Sequence, residues 1–187
     1  QMDHLEAEFL NKHIPYRVEG HEPFFKRSEI KALLDYIRLA KDFRVPVEEP
    51  VLKRFLFLAN KPNRMLSRVV LERIASDANQ TRLSLDRVLQ AALFQGSFGL
   101  SRWQSSQLEE FWQLLTRLHL EVYSGELADV FLHTLVDETG YLTAFQNYYG
   151  DGEHADGKIM AVENFLEYVH HTRLTPLSLL DLIDRLD

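Results

Sequence analysis

The sequence predicts an all-α protein, a mostly helical and irregular multi-helix domain with one short strand or hairpin near its N-terminus. Three observations carry that expectation. Apolar residues recur three and four positions apart through most of the 187 residues, which is the period of a helix face and not the alternation of a strand. The apolar runs are separated by Pro, Gly and Asn positions that stop helices. The composition, 45% hydrophobic and 26% charged, is that of a chain able to bury its own core at this length.

Taken in order, Leu5, Phe9 and Leu10 suggest a first helix ending near Asn11, after which Pro15-Tyr16-Arg17-Val18 alternates briefly and stops at Gly20, as a short strand does. Ser28 is placed to cap a long helix that carries Ile30, Leu33, Leu34, Ile37 and Ala40 on one face and ends before Pro46. The next begins at Glu48-Glu49-Pro50, where acids suit the positive end of the helix dipole and proline tolerates the first turn. It buries Leu52, Phe55, Leu56, Leu58 and Ala59, and breaks at Asn60-Lys61-Pro62-Asn63. Val69, Val70, Leu71 and Ile74 mark another; Leu85, Val88, Leu89 and Leu93 the one after, capped by Ser84. A long helix over 101–123 turns Trp103, Leu108, Phe111, Leu115 and Leu118 inward. Gly125 and Gly140 bracket a helix through Leu127, Val130, Phe131 and Leu135, and a short one follows over 141–149. The glycine- and acid-rich stretch 150–157 reads as a solvated loop, and helices over 159–171 and 177–186 finish the chain.

The search for chemistry excludes several classes. There is no cysteine, which removes disulfides, thiol nucleophiles and thiolate-bound metals. No Gly-x-x-x-x-Gly-Lys-Ser/Thr, Gly-x-Gly-x-x-Gly or Gly-x-Ser-x-Gly pattern occurs, so no nucleotide-phosphate loop or serine elbow is expected. His4, His13, His21, His119, His133, His154, His170 and His171 form no metal-binding pair, the adjacent His170 and His171 pointing about 100° apart on a helix. Asp151, Glu153 and Asp156 lack an acid twelfth in the series, where Val162 stands, so they do not make a calcium loop. No catalytic residue and no metal ligand is expected. No run reaches the length of a membrane span, and no secretory leader is recognised, so a cytoplasmic protein without membrane contact is expected.

The formal charge of −7 argues at first against a nucleic-acid partner. It is unevenly spread. Residues 26–82 hold 13 basic and seven acidic side chains, whereas residues 83–187 hold six and 16. Within 53–82, Lys53, Arg54, Lys61, Arg64, Arg68, Arg73 and Arg82 face only Glu72 and Asp77. Such a segment is either a solvated face or a site for phosphates recognised without sequence readout, Arg64 and Arg68 lying four apart across a helix start with Lys61 just before it. Phe24, Phe25, Trp103 and Trp112 could stack on bases, but their helical context points to core packing, with Phe24 and Phe25 anchoring the strand to the helix that follows.

A resemblance gives this partition a context. Ile14-Pro15-Tyr16-Arg17-Val18-Glu19-Gly20, followed by Phe24-Phe25-Lys26-Arg27-Ser28-Glu29-Ile30-Lys31, resembles a block of the UvrD/Rep/PcrA group of superfamily 1A DNA helicases. Tyr36-Ile37-Arg38-Leu39, Asn60-Lys61-Pro62-Asn63-Arg64, Glu138-Thr139-Gly140-Tyr141 and Val162-Glu163-Asn164-Phe165-Leu166-Glu167 are similar, in order, to later blocks of that group. The sequence departs from the pattern at Met65-Leu66-Ser67, where the family usually reads Gly-Ile-Gly at a tight turn that approaches duplex phosphates. Ala161 also stands in place of a common arginine, and Asp3 where Ser-Arg is frequent.

The resemblance implies that residues 1–25 end a segment of the second motor (2A) subdomain and carry the short strand. Residues 26–187 would form the helical accessory 2B subdomain, a non-catalytic module that contacts duplex DNA and regulates unwinding in repair or replication. Lys53, Arg54, Lys61, Arg64, Arg68 and Arg73 would meet the DNA backbone. Tyr16, Gly20, Phe24, Phe25, Arg27, Glu29 and Lys31 would be structural or interdomain. ATP and Mg would bind the parent helicase outside this chain, whose remaining subdomains are the implied partners. The alternative is a helical protein-interaction module whose acidic part recruits repair or replication proteins.

Overall fold

The computed structural model describes residues 24–96, 98–150 and 152–185, and within them the protein is helical throughout. A 3-10 turn at Phe24–Lys26 precedes α1 (Ser28–Asp42), α2 (Glu49–Leu58), α3 (Arg68–Thr81), α4 (Leu85–Phe94), α5 (Arg102–Val122), α6 (Ala128–Thr139), α7 (Tyr141–Tyr149), α8 (Glu153–Thr172) and α9 (Pro176–Ile183). No strand occurs among the described residues; the first helix and the strand expected around Tyr16 and Gly20 lie outside them. The chain divides into two compact units, one of residues Gln1–Leu34 and Gly125–Asp187, the other of residues Asp35–Ser124. The division falls within α1, which is buried at Ile30, Ala32–Ile37, Leu39 and Ala40 and so on more than the single face its spacing predicts.

In the unit of residues 35–124, α2 packs on α3, α3 on α4 and α4 on α5. Phe55 of α2 and Phe111 of α5, both fully buried, stack with ring centroids 6.3 Å apart. Ser84 caps α4 as its position predicts, its hydroxyl accepting from the Arg87 amide, and Ser101 and Gln104 form a capping box at the start of α5. Asp86 is a buried junction: Trp112 Nε1 donates to its carboxylate at 2.7 Å, Gln90 Nε2 at 3.0 Å, and Arg44 lies at 3.3 Å. Two expected core residues are on the surface instead. Trp103 is 49% exposed because it falls in the first turn of α5, and Leu56 is 38% exposed because it borders an open groove between α2 and α3.

In the other unit, α8 packs on α6 and α7, and α9 on α6. Phe24 is buried, and its ring lies 6.3 Å from that of Phe165 on α8; Phe25 meets Phe165 and Tyr168. Gly140 turns the chain between α6 and α7 at φ +61°, a left-handed conformation glycine adopts without a Cβ clash. The stretch 150–157, read from composition as a loop, is helical from Glu153. Ala155 is buried there, so packing extends α8 by two turns, and Glu153 and Asp156 favour its positive end. Ser28, expected as a cap, is the first residue of α1; the carbonyl of Arg27 accepts from the Lys31 amide, and the Ser28 hydroxyl donates to Glu29 Oε2 at 3.0 Å.

Candidate nucleic-acid interface

The connection between α2 and α3 follows from the amides in its sequence. Asn60 imitates a paired strand: its Nδ2 donates to the Leu66 carbonyl and its Oδ1 accepts from the Leu66 amide, both at 2.9 Å. Leu66 is thereby drawn into the core at 4% exposure. Asn63 closes a smaller turn by accepting from the Met65 amide at 2.8 Å. Met65 itself has φ +53° and is 70% exposed. The peptide bond between Lys61 and Pro62 is cis.

Arg64 braces this loop from inside. Its Nη1 donates to the carbonyls of Leu58, Ala59 and Pro62 at 3.2–3.3 Å, and its Nη2 to Tyr36 Oη at 3.1 Å. The guanidinium also lies 4.6 Å from the centroid of the Phe111 ring. Tyr36 Oη donates in turn to the Lys61 carbonyl. Burial pushes the Tyr36 phenol above its ordinary pKa, and the Arg64 charge opposes that rise. Leu58 and Ala59 end α2, where carbonyls lack helical partners, so a cation there satisfies both hydrogen-bonding and dipole requirements. Sequence reasoning placed Arg64 with the phosphate ligands; the structure places its donors in the loop.

The other predicted cations lie on the same unit in different settings. Lys53 pairs with Glu49 at 2.6 Å and Arg68 with Glu72 at 2.7 Å, each across one helical turn, with the Lys53 and Arg68 side chains 74% and 89% exposed. Lys53 holds the Glu49 carboxyl below its usual range, and Glu72 raises the Arg68 guanidinium further. Lys61 Nζ lies 3.5 Å from the centroid of the Phe57 ring. Arg54 is drawn inward to the buried Asp35 at 3.6 Å and to Asp42 at 3.5 Å. Arg73 Nη1 donates to the Phe98 carbonyl at 3.3 Å and its guanidinium is 5.5 Å from that ring. Between α2 and α3 runs an open groove of about 570 Å³ with Leu52, Leu56 and Ala75 along it and Lys53, Glu72 and Arg82 at its edges. Of the six predicted backbone contacts, Lys53, Arg68 and Arg73 are exposed and Lys61 is half-buried, whereas Arg54 and Arg64 are tied into the fold.

The residues expected to be structural or interdomain sit on the other unit. The Arg27 guanidinium is 5.3 Å from the centroid of the Phe24 ring, and Lys31 is exposed. Glu29 is buried and pairs with Lys158 of α8 at 2.7 Å, while Tyr141 Oη donates to its carbonyl at 2.9 Å. Burial raises the Glu29 pKa, but the Lys158 bond, its own amide and Ser28 outweigh this and leave it below the ordinary value. Tyr16 and Gly20 lie outside the described residues. Among the described residues, no three His, Asp or Glu side chains stand together in a group that could hold a metal ion.

The chain belongs to the family of UvrD-like helicase C-terminal domains, whose model matches residues 1–118. Among curated proteins it is 27% identical over 137 residues to the ATP-dependent DNA helicase PcrA of Staphylococcus epidermidis, covering 73% of this chain and 17% of that protein. It is 28% identical over 134 residues to PcrA of Staphylococcus aureus (72% and 16%), and 26% identical over 167 residues to DNA helicase II of Rickettsia typhi (88% and 23%). The chain thus spans less than a quarter of the length of these relatives.

Proposed function

We propose that this chain is the non-catalytic accessory (2B) region of a UvrD-like ATP-dependent DNA helicase, preceded by the end of a 2A motor segment, and that it holds the backbone of duplex DNA without reading sequence. ATP and Mg belong to motor subdomains of the parent protein, which are its first partners, and the work is done in the cytoplasm. Among the described residues no helix is long and apolar enough to cross a membrane. The observation that supports the DNA reading best is the α2–α3 connection, which Asn60, Tyr36 and Arg64 brace from beneath while Arg68 extends into solvent beside it. Phosphate contacts of this kind position a protein on DNA and carry no sequence information.

The test is a titration of labelled duplex with the full chain at low ionic strength. Replacing Lys53 and Arg68 together by Glu is expected to weaken binding about tenfold or more and to flatten the dependence on salt, since each lost phosphate contact removes about 0.9 from the slope of log affinity against log salt. Unchanged affinity and slope in the double variant would remove this face from the DNA interface.

A further inference from the structure

Two apolar side chains stand on either side of Arg68 in the sequence with no core to enter. Met65 is 70% exposed and Val69 is 66% exposed, while Leu66, between them, is 4% exposed. Isolated surface hydrophobes are common and by themselves mean little. These are held differently. The Asn60 amide pins the loop through both polar atoms of Leu66, Asn63 accepts from the Met65 amide, and Arg64 and Tyr36 fill the underside. Met65 is fixed at φ +53°, where a side chain is disfavoured and glycine or asparagine would make the same turn more readily. A residue in this conformation persists only where its surroundings determine it, and such residues concentrate at ligand-holding sites.

The charge around the pair selects the occupant. Over residues 53–82, seven cations oppose two carboxylates; Arg64 and Arg68 adjoin Met65 and Val69 in sequence, Arg64 turned into the loop and Arg68 extended into solvent beside Glu72. An apolar tip within cationic surroundings matches a polyanion that has apolar surface between its charges. Duplex DNA is such a partner: phosphates line the grooves, and sugar and base edges lie on their floors. Proteins that enter the minor groove use Met, Leu, Ile and Phe as wedges that part neighbouring base pairs.

We infer that Met65, supported by Val69, is an apolar wedge that enters a groove of the bound duplex, so that this module contacts sugar and base edges as well as phosphates and loosens local stacking. This rests on the duplex-binding reading above and adds a contact that charge alone does not provide. The residues beneath the loop act as positioning groups, and the wedge is the Met65 side chain itself.

The experiment uses the full chain and a short duplex carrying 2-aminopurine, whose fluorescence rises when it is unstacked. The wild-type protein is expected to bind and to raise the signal. Met65→Gly suits the backbone conformation, so folding is retained; it is expected to bind about fivefold more weakly, the size of one lost apolar contact, to keep the salt slope, and to lose the fluorescence rise. Val69→Ser is expected to reduce the rise without abolishing it. Binding by the wild type with no fluorescence rise, or a Met65→Gly protein with the wild-type affinity and rise, overturns the wedge while leaving phosphate contact in place. If the wild type does not bind duplex, or if the Lys53 and Arg68 double variant binds as well as the wild type, the duplex reading fails and the wedge falls with it. Were Met65 instead a contact for another protein, duplex affinity and stacking would both be indifferent to its replacement.

Discussion

Replacing Arg64 by Ala tests whether this residue serves the fold or the DNA. Three of its hydrogen bonds leave a single nitrogen, Nη1, at 3.2–3.3 Å, so they share two hydrogens; Nη2 adds the bond to Tyr36 Oη at 3.1 Å. Hydrogen bonds from a charged donor contribute about 1.5–3 kcal/mol each. The shared and lengthened ones count for less, and the guanidinium above Phe111 adds about 1 kcal/mol in a partly desolvated setting. Water can reach part of the vacated space and recover some of this, which leaves a loss of about 3 kcal/mol. The assay is urea denaturation followed by tryptophan fluorescence. Trp103 and Trp112 are the only tryptophans and both lie in the unit of residues 35–124, so the signal reports the unit that holds Arg64. With a slope of about 2 kcal/mol per molar urea, the midpoint should fall by about 1.5 M at unchanged slope. Arg64→Lys, which keeps the charge and loses the fork, should fall about half as far. A midpoint shift under about 0.5 M, accompanied by loss of duplex binding, would refute the bracing role and return Arg64 to the DNA face.

Two further outcomes follow from buried charges. The Glu29 pKa is depressed by Lys158 against the opposing effect of burial, so its contribution to stability is complete above the ordinary glutamate range and is lost as the pH falls through the lower folded value. Thermal melts by circular dichroism between pH 3 and 6 should therefore show an acid-labile component in wild type that Lys158→Met diminishes; identical pH profiles would show that the pair adds nothing. Asp86→Ala leaves Trp112 Nε1, Gln90 and Arg44 without their common acceptor, at a cost of about 2–4 kcal/mol. Fluorescence-monitored denaturation should give a lower midpoint, and native emission should shift to longer wavelength as water reaches Trp112; a native spectrum and midpoint like those of wild type would contradict the assignment.

Helices were legible where a polar face alternates with an apolar one, as in α4, whose cap and buried face both follow from Ser84, Leu85, Val88 and Leu89. Spacing failed where tertiary packing overrides composition. Gly152 and Gly157 make the start of α8 look like a loop, yet Ala155 is buried and the helix forms around it. It failed also at element edges, where Trp103 keeps the helical period but occupies a first turn with little to pack against. In the candidate interface, composition located the basic segment but could not say which cations face water. A signal for Arg64 was present: an arginine five residues beyond Ala59, in a turn pinned by Asn60, is placed to meet the carbonyls that end α2, where helical partners run out. The four-residue spacing of Glu49 with Lys53 and of Arg68 with Glu72 was the available signal for these pairs, but surface pairs one turn apart contribute too little to decide whether a cation stays available to a phosphate.

Those two pairs bear on how a chain with a formal charge of −7 could hold DNA. A cation paired with a carboxylate exchanges one anion for another when a phosphate arrives, so the direct electrostatic gain is only the difference between the two. An exposed pair of this kind is worth about 0–1 kcal/mol, which sets the barrier to exchange low. The driving force is then the release of counterions condensed on the duplex, which weakens as salt rises. Glu49 and Glu72, each on the same helix face as its cation, remain beside it after exchange and compete with the phosphate. On the proposed reading, Lys53 and Arg68 would make contacts that form quickly and release readily, and an apolar contact at Met65 would be the part of the interface that salt does not weaken. On that same reading, a module that had to let go of the duplex as a parent helicase advanced would be served better by that combination than by a fixed, fully desolvated cationic patch.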